Sequence, residues 1–201
     1  MSQDKIDIKN IVVVGDGAVG KTSLLYRFHN DDYNDEYQAT VYEESEFVVE
    51  IEGKRHIVKL HDTAGQEGYE RLRKVIYSMA DIFLLCYSVE DRQSFFNVQR
   101  WASELRKECK DVPIVLCATK TDLRSTVLNC VTTMEGQDMR MDIKAKAFVE
   151  CSSLSNQGVK NAIHTTIKTM NAEVEDEQEC KSSHFCCCCI PSFMKKYVKV
   201  R

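Results

Sequence analysis

Residues 11–28 read I-V-V-V-G-D-G-A-V-G-K-T-S-L-L-Y-R-F. The β-branched residues Ile11 to Val14 make a buried strand, and the stripe Leu24, Leu25 and Phe28 belongs to a helix. Between them Gly15, Asp16, Gly17, Ala18, Val19, Gly20, Lys21 and Thr22, with Ser23 following, match G-x-x-x-x-G-K-[ST], the phosphate-binding loop. Glycines let such a loop turn its N–H groups inward as an anion nest, at the positive end of the following helix. Lys21 then reaches the β and γ phosphates, and the Thr22 hydroxyl ligates Mg²⁺. The implied ligand is a nucleoside triphosphate with Mg²⁺. A glycine-rich turn without a ligand is the plain alternative, and the strand before and helix after weigh against it.

Further apolar, β-branched runs at 8–14, 47–51, 57–60, 82–89, 114–118 and 147–151 read as strands of a largely buried sheet. Helical segments lie between them. Phe95, Val98, Ala102, Leu105 and Cys109 form one apolar stripe, and Val159, Ala162, Ile163, Thr166, Ile167 and Met170 form another. Residues 134–146 are weakly periodic and are taken as a helix by elimination. Gly53 between two strand-like runs marks a hairpin, which makes one strand antiparallel. The expected fold is therefore α/β: a P-loop NTPase with a doubly wound, six-stranded, mostly parallel sheet.

The chain has 201 residues, 43% of them hydrophobic, and two prolines, which suits one domain over about residues 7–170 with an appendage at 171–201. A net charge of −4 offers no nucleic-acid surface, so no nucleic acid is expected as a partner. The opening Met1-Ser2-Gln3 has neither an apolar signal core nor a glycine at position 2, which argues against secretion and N-myristoylation. Of ten cysteines, Cys86, Cys109, Cys117, Cys130 and Cys151 are scattered through the body and read as reduced, small hydrophobes of a cytosolic protein.

Three more segments extend the site beyond the phosphate loop. His61-Asp62-Thr63-Ala64-Gly65-Gln66-Glu67 lies at a strand's carboxyl end, where Asp62 suits a carboxylate directed at Mg²⁺ through water. Gly65 can give its N–H to the γ-phosphate, and Gln66 can orient an attacking water. Thr119-Lys120-Thr121-Asp122 follows another strand. A carboxylate at Asp122 can accept both the N1–H and the exocyclic amine of guanine. Adenine lacks that donor pair, so Asp122 selects GTP over ATP. Cys151-Ser152-Ser153-Leu154 completes the base pocket if the Ser153 N–H meets the guanine carbonyl.

At these residues the chain resembles the Ras superfamily of small GTPases, and within it the Rho family, over about residues 8–170. Residues 37–43, Y-Q-A-T-V-Y-E, resemble the Rho effector segment Y-x-P-T-V-F-[DE], with Ala39 in place of proline. The likeness continues through Asp62 to Arg73, through Ser94-Phe95-Phe96-Asn97-Val98 with Trp101, and through Thr119 to Arg124. The resemblance implies that Thr40 grips Mg²⁺ and γ-phosphate, that Tyr37 lies at the nucleotide, and that Tyr33 stacks on guanine. It also implies catalytic roles for Gln66, Gly17, Lys21 and Thr40. Implied partners are an exchange factor, a GTPase-activating protein and effectors at switch segments 33–44 and 64–79, acting on a monomer.

Two further departures from the Rho pattern lie in the body. Residues 123–133 leave too little chain for the family's insert helix. His61 replaces the usual aromatic before D-T-A-G. A GTP-binding scaffold with little hydrolysis is the alternative reading. An ATPase or nucleotide kinase is disfavoured by Asp122 and by the want of an arginine-rich lid.

From Asn171 an acidic stretch leads to Cys180, then to Cys186, Cys187, Cys188 and Cys189, and after Pro191 to Lys195, Lys196, Lys199 and Arg201. The last four residues, Val198-Lys199-Val200-Arg201, form no C-a-a-X box, so prenylation there is not expected. S-acylation of Cys186–Cys189 with the basic end would hold the chain to the cytoplasmic face of a membrane, most readily the plasma membrane. Zinc is disfavoured, because four adjacent thiolates lack the spacers needed to converge on one ion.

Overall fold

The computed structural model describes residues 8–33, 40–51 and 54–182. Six strands carry the sheet: β1 (Ile8–Val14), β2 (Tyr42–Ile51), β3 (Lys54–Thr63), β4 (Ile82–Ser88), β5 (Ile114–Thr119) and β6 (Ala147–Glu150). Among the described residues five α-helices connect or follow them: α1 (Lys21–Asn30), α2 (Glu70–Tyr77), α3 (Arg92–Glu108), α4 (Thr133–Asp142) and α5 (Val159–Ser182). The strand order is β2-β3-β1-β4-β5-β6, and every pair is parallel except β2 with β3. The chain leaves β1 where the order runs away to both sides. Ligands of doubly wound sheets bind in the crevice at such a point, beyond the carboxyl ends of the strands.

Alternation along the strands splits the core into two faces. Ile11 and Val13 pack with Leu24 of α1 and with Val159, Ala162, Ile163 and Ile167 of α5. Val12 and Val14 face the other way, toward Tyr77 of α2, Phe95, Val98, Trp101 and Leu105 of α3, and Met139 of α4. The two stripes expected from sequence are thus the core faces of α3 and α5. Cys109 caps α3, its thiol directed at the Tyr77 carbonyl.

The hairpin is longer than hydrophobicity suggests. β2 begins at Tyr42 and β3 ends at Thr63, with residues paired from Tyr42↔Thr63 to Ile51↔Lys54. Both strands carry polar residues that face solvent or pair across the hairpin, as Lys59 does with Glu44 at 2.8 Å. Gly53 lies outside the described residues. Helix α4 is present, and its start has a signal that periodicity misses. Thr132 and Glu135 form a reciprocal capping box, each side chain taking the other's backbone N–H.

The connection from β5 to α4 contains one short 3-10 segment, Thr121–Ser125. Cys86, Cys109, Cys117, Cys130 and Cys151 are all free thiols, the first, third and fifth of them buried. The first compact unit closes at Met170, and helix α5 extends beyond it to Ser182. Acidity alone marks that stretch as tail, yet Ala, Glu and Gln are good helix formers. Cys186 to Cys189 lie outside the described residues. No helix among the described residues is long and apolar enough to cross a membrane.

Ile163 is fully buried between α5 and the sheet, whereas Val48 on edge strand β2 is 64% exposed. Truncating Ile163 to Ala should cost about 2–5 kcal/mol of unfolding free energy, and Val48→Ala within about 0.5 kcal/mol of none. Urea unfolding of both variants checks the assignment of the core.

Candidate nucleotide-binding site

The loop between β1 and α1 is shaped by two close approaches. Gly15 has φ +136°, and a Cβ there would lie 2.2 Å from the Cys86 carbonyl oxygen of β4. Gly65 packs onto the same loop from the far side, where a Cβ would stand 2.3 Å from the Asp16 carbonyl carbon and 2.4 Å from Gly17 N. Only glycine fits at either place. Gly17, by contrast, faces open space, and a Cβ added there would meet nothing within 4 Å.

Lys21, the first residue of α1, is buried and donates from Nζ to the carbonyls of Gly15 at 2.9 Å and Asp16 at 2.6 Å. Burial lowers its pKa, opposed chiefly by the charge of Asp62. The next residue, Thr22, donates its hydroxyl to Asp62 Oδ2 at 2.5 Å and lies 2.7 Å from the Thr40 hydroxyl. Segments far apart in sequence thereby bring three oxygen donors together. Asp62 sits one residue inside the end of β3, with its pKa raised by burial and held back by the Thr22 hydroxyl and Lys21.

Asp62 Oδ1 is buried without a hydrogen-bond partner. A buried carboxylate oxygen is costly when unsatisfied, and a hard divalent cation is the partner that two hydroxyls and a carboxylate suit. The donor set therefore fits Mg²⁺. Among the described residues no cluster of three or more His, Cys, Asp or Glu could hold a metal ion.

Beyond β5 lies a cleft of about 200 Å³, lined by Gly20, Tyr33, Lys120, Asp122 and Ser153 among others. Thr119 is buried, and its hydroxyl lies 2.5 Å from Val19 O and 2.9 Å from Tyr87 O, which stitches the phosphate loop to β5 and β4. Ser152 is buried as well, and its hydroxyl accepts the Ser155 N–H at 3.0 Å. Those two side chains brace the cleft. Ala18 has a positive φ of 60° within the loop, and Ser23 lines the cleft. Tyr37 and Ala39 lie outside the described residues.

Several residues that complete the site escape sequence reasoning. Arg27 of α1 donates to the carbonyls of Ser153 at 2.8 Å and Leu154 at 3.1 Å, pinning the loop after β6. Glu90 holds Lys120 Nζ at 2.6 Å. The Asp16 carboxylate turns to α3, where it accepts from Asn97 at 2.6 Å and Trp101 at 2.7 Å. Asn97 and Trp101 share a helix face four residues apart, a spacing that says nothing of which carboxylate they meet. His61 is 1% exposed, its ring set between the Tyr42 hydroxyl at 2.9 Å and Asn10 Oδ1 at 3.1 Å.

A phosphate loop at the sheet's switch point, a cation-ready carboxylate on the adjacent strand and a cleft beyond β5 define a P-loop nucleotide-binding domain. Residues 10–172 match the Ras family. The chain belongs to that family of small GTPases, and its relatives include Rho-related proteins. It is 40% identical over 171 residues to the Rho-related GTP-binding protein RhoB of Homo sapiens, covering 80% of this chain and 87% of that one. To RhoH of Mus musculus it is 39% identical over 162 residues, covering 79% and 85%. The Ras-like GTP-binding protein RhoL of Drosophila melanogaster is 38% identical over 175 residues, covering 85% and 92%.

Burial holds His61 below its ordinary pKa, although Glu44 pulls the other way. The unfolded chain then takes up this proton at a higher pH than the folded one. Stability from this group is therefore lost as the pH falls below about 6.5. The urea midpoint should decline between about pH 7.5 and about pH 5.5, and His61→Gln should flatten that decline. Equal declines in both proteins would remove His61 as the source.

Proposed function

We propose that this chain binds GDP and GTP with Mg²⁺, hydrolyses GTP slowly and works as a Rho-like switch in signalling. The observation that carries the reading is the cluster of Thr22, Thr40 and Asp62, with the unpartnered Asp62 Oδ1 beside a phosphate loop on which Gly65 packs. Thr22 and Thr40 would hold Mg²⁺ directly and Asp62 through water. When bound, the ion neutralises charge on the β and γ phosphates. Lys21 would exchange its loop carbonyls for phosphate oxygens. Gly65 would give its N–H to the γ-phosphate, and Gln66 would orient the attacking water. Asp122 would read the guanine edge, with Lys120 and Tyr33 against the base and the Ser153 N–H at its carbonyl.

Thr40 and Gly65 meet the γ-phosphate only when it is present, so segments 33–44 and 64–79 would change with the nucleotide. Exchange factors, activating proteins and effectors would read that change. The short connection from β5 to α4 supports a chain without the Rho insert helix, and partners that use that helix would pass it by. Turnover should be about a few times 10⁻⁴ per second alone, rising about 10⁵-fold with an activating protein.

Single-turnover hydrolysis with purified protein tests the enzyme reading. Gly17→Val should keep GDP binding within a few-fold and abolish stimulated hydrolysis, since the new side chain enters the open space that an attacking water and an incoming arginine need. No phosphate release from the wild type, even with a Rho-type activating protein, would leave the scaffold reading in its place.

The same proposal puts the chain at the cytoplasmic face of a membrane through acylated Cys186, Cys187, Cys188 and Cys189 and the basic residues after them. Two acyl chains, or one with basic residues worth about 1 kcal/mol each near anionic lipid, suffice for stable attachment. Changing all four cysteines to Ser, or treating with hydroxylamine, should release the protein from the membrane fraction of cells. Unchanged partitioning would sink the anchor.

A further inference from the structure

We propose that Trp101 and Arg73 form a strut by which α3 sets the register between the phosphate loop and Gln66, making both of them positioning residues for GTP hydrolysis. The inference rests on the GTPase reading above and adds two residues to it. Its basis is a closed circuit of contacts. Gly65 packs on residues 15–17 of the loop, and the Asp16 carboxylate accepts the Trp101 indole N–H at 2.7 Å. The face of that indole carries the Arg73 guanidinium, 4.7 Å from the ring centre. Arg73 Nη1 then donates to the carbonyls of Ala64 at 3.2 Å and Gln66 at 2.7 Å, which returns the circuit to Gly65.

Each member of the circuit is placed by something stiffer than itself. Trp101 is 2% exposed on the long helix α3, and Asn97, one turn earlier, shares the Asp16 carboxylate at 2.6 Å. Arg73 is 3% exposed, an unusual place for a guanidinium. Its Nε lies 3.6 Å from Glu104, which in turn accepts the Tyr77 hydroxyl at 2.9 Å. The buried cation therefore has a carboxylate, an aromatic face and two carbonyls arranged around it.

The consequence is geometric. Movement of Ala64 or Gln66 displaces Arg73 across the indole face, and movement of the phosphate loop pulls on the indole edge. One ring senses both.

Trp101 is the sole tryptophan of the chain, so its emission reports the strut directly. The full-length protein is first loaded with methylanthraniloyl-GDP, whose directly excited fluorescence shows that nucleotide is bound. Tryptophan emission is then compared in the GDP state and with a non-hydrolysable GTP analogue. The two states should differ, and Arg73→Lys, which loses the planar fork and the ring stacking, should at least halve the difference. Trp101→Phe keeps a smaller aromatic face for Arg73 and removes the N–H donor to Asp16. It should slow single-turnover hydrolysis about tenfold, the worth of one hydrogen bond to a charged group, while methylanthraniloyl-GDP affinity changes less than about threefold. The two substitutions together should cost less than the product of their separate effects.

Identical emission in both nucleotide states would overturn the strut, as would wild-type hydrolysis by Trp101→Phe or strictly multiplicative effects. Should that variant not fold, the emission comparison in wild type and Arg73→Lys decides alone. Failure of the wild type to bind methylanthraniloyl-GDP would instead overturn the nucleotide-switch reading beneath the proposal.

Discussion

The hydrogen bond from the Thr22 hydroxyl to the buried Asp62 carboxylate is the contact around which the site is built. It joins the first turn of α1 to the end of β3 across forty residues of sequence. Because Asp62 is buried, its charge must be answered locally, and Thr22, Lys21 and a hard cation are the groups able to do so. Its position requires that β1 and β3 be parallel neighbours in the observed register, with Val13 beside Asp62. The order of the sheet and the chemistry of the site are thus one constraint.

A second layer keeps the phosphate loop in place without touching the ligand cluster. Thr119 bonds the loop from the β5 side, Asp16 is drawn to α3, and Gly65 closes over the top. All three contacts are short and involve buried or half-buried groups, which makes them stiff. A loop clamped on three sides keeps its shape between β1 and α1.

Much of this is legible from residue types and spacings. The apolar run into G-x-x-x-x-G-K-T can only be strand, loop and helix, and the apolar stripes of α3 and α5 mark their buried faces. Hydrophobicity understates the hairpin because its ends alternate charged residues that an edge strand tolerates. Helix α4 is weak by periodicity, since its stability at the start comes from the Thr132–Glu135 capping box rather than from an apolar face. His61 stands out in the sequence only as a departure from a pattern. Its burial between Tyr42 and Asn10 comes from three strands meeting, a fact no local window contains.

By itself the sequence determined the fold class and the place of the phosphate loop, because a buried strand, a glycine-rich turn and an amphipathic helix each demand particular residue types at short, regular spacings. Tertiary structure alone decided which carboxylates face which partners. Asp16 and Asp62 are both acidic residues beside the phosphate loop, yet one is turned to an indole and an amide on α3 while the other is left with an unpartnered oxygen next to two hydroxyls. The difference arises because side-chain direction follows from strand register and helix packing, which are set by contacts between residues far apart in the chain.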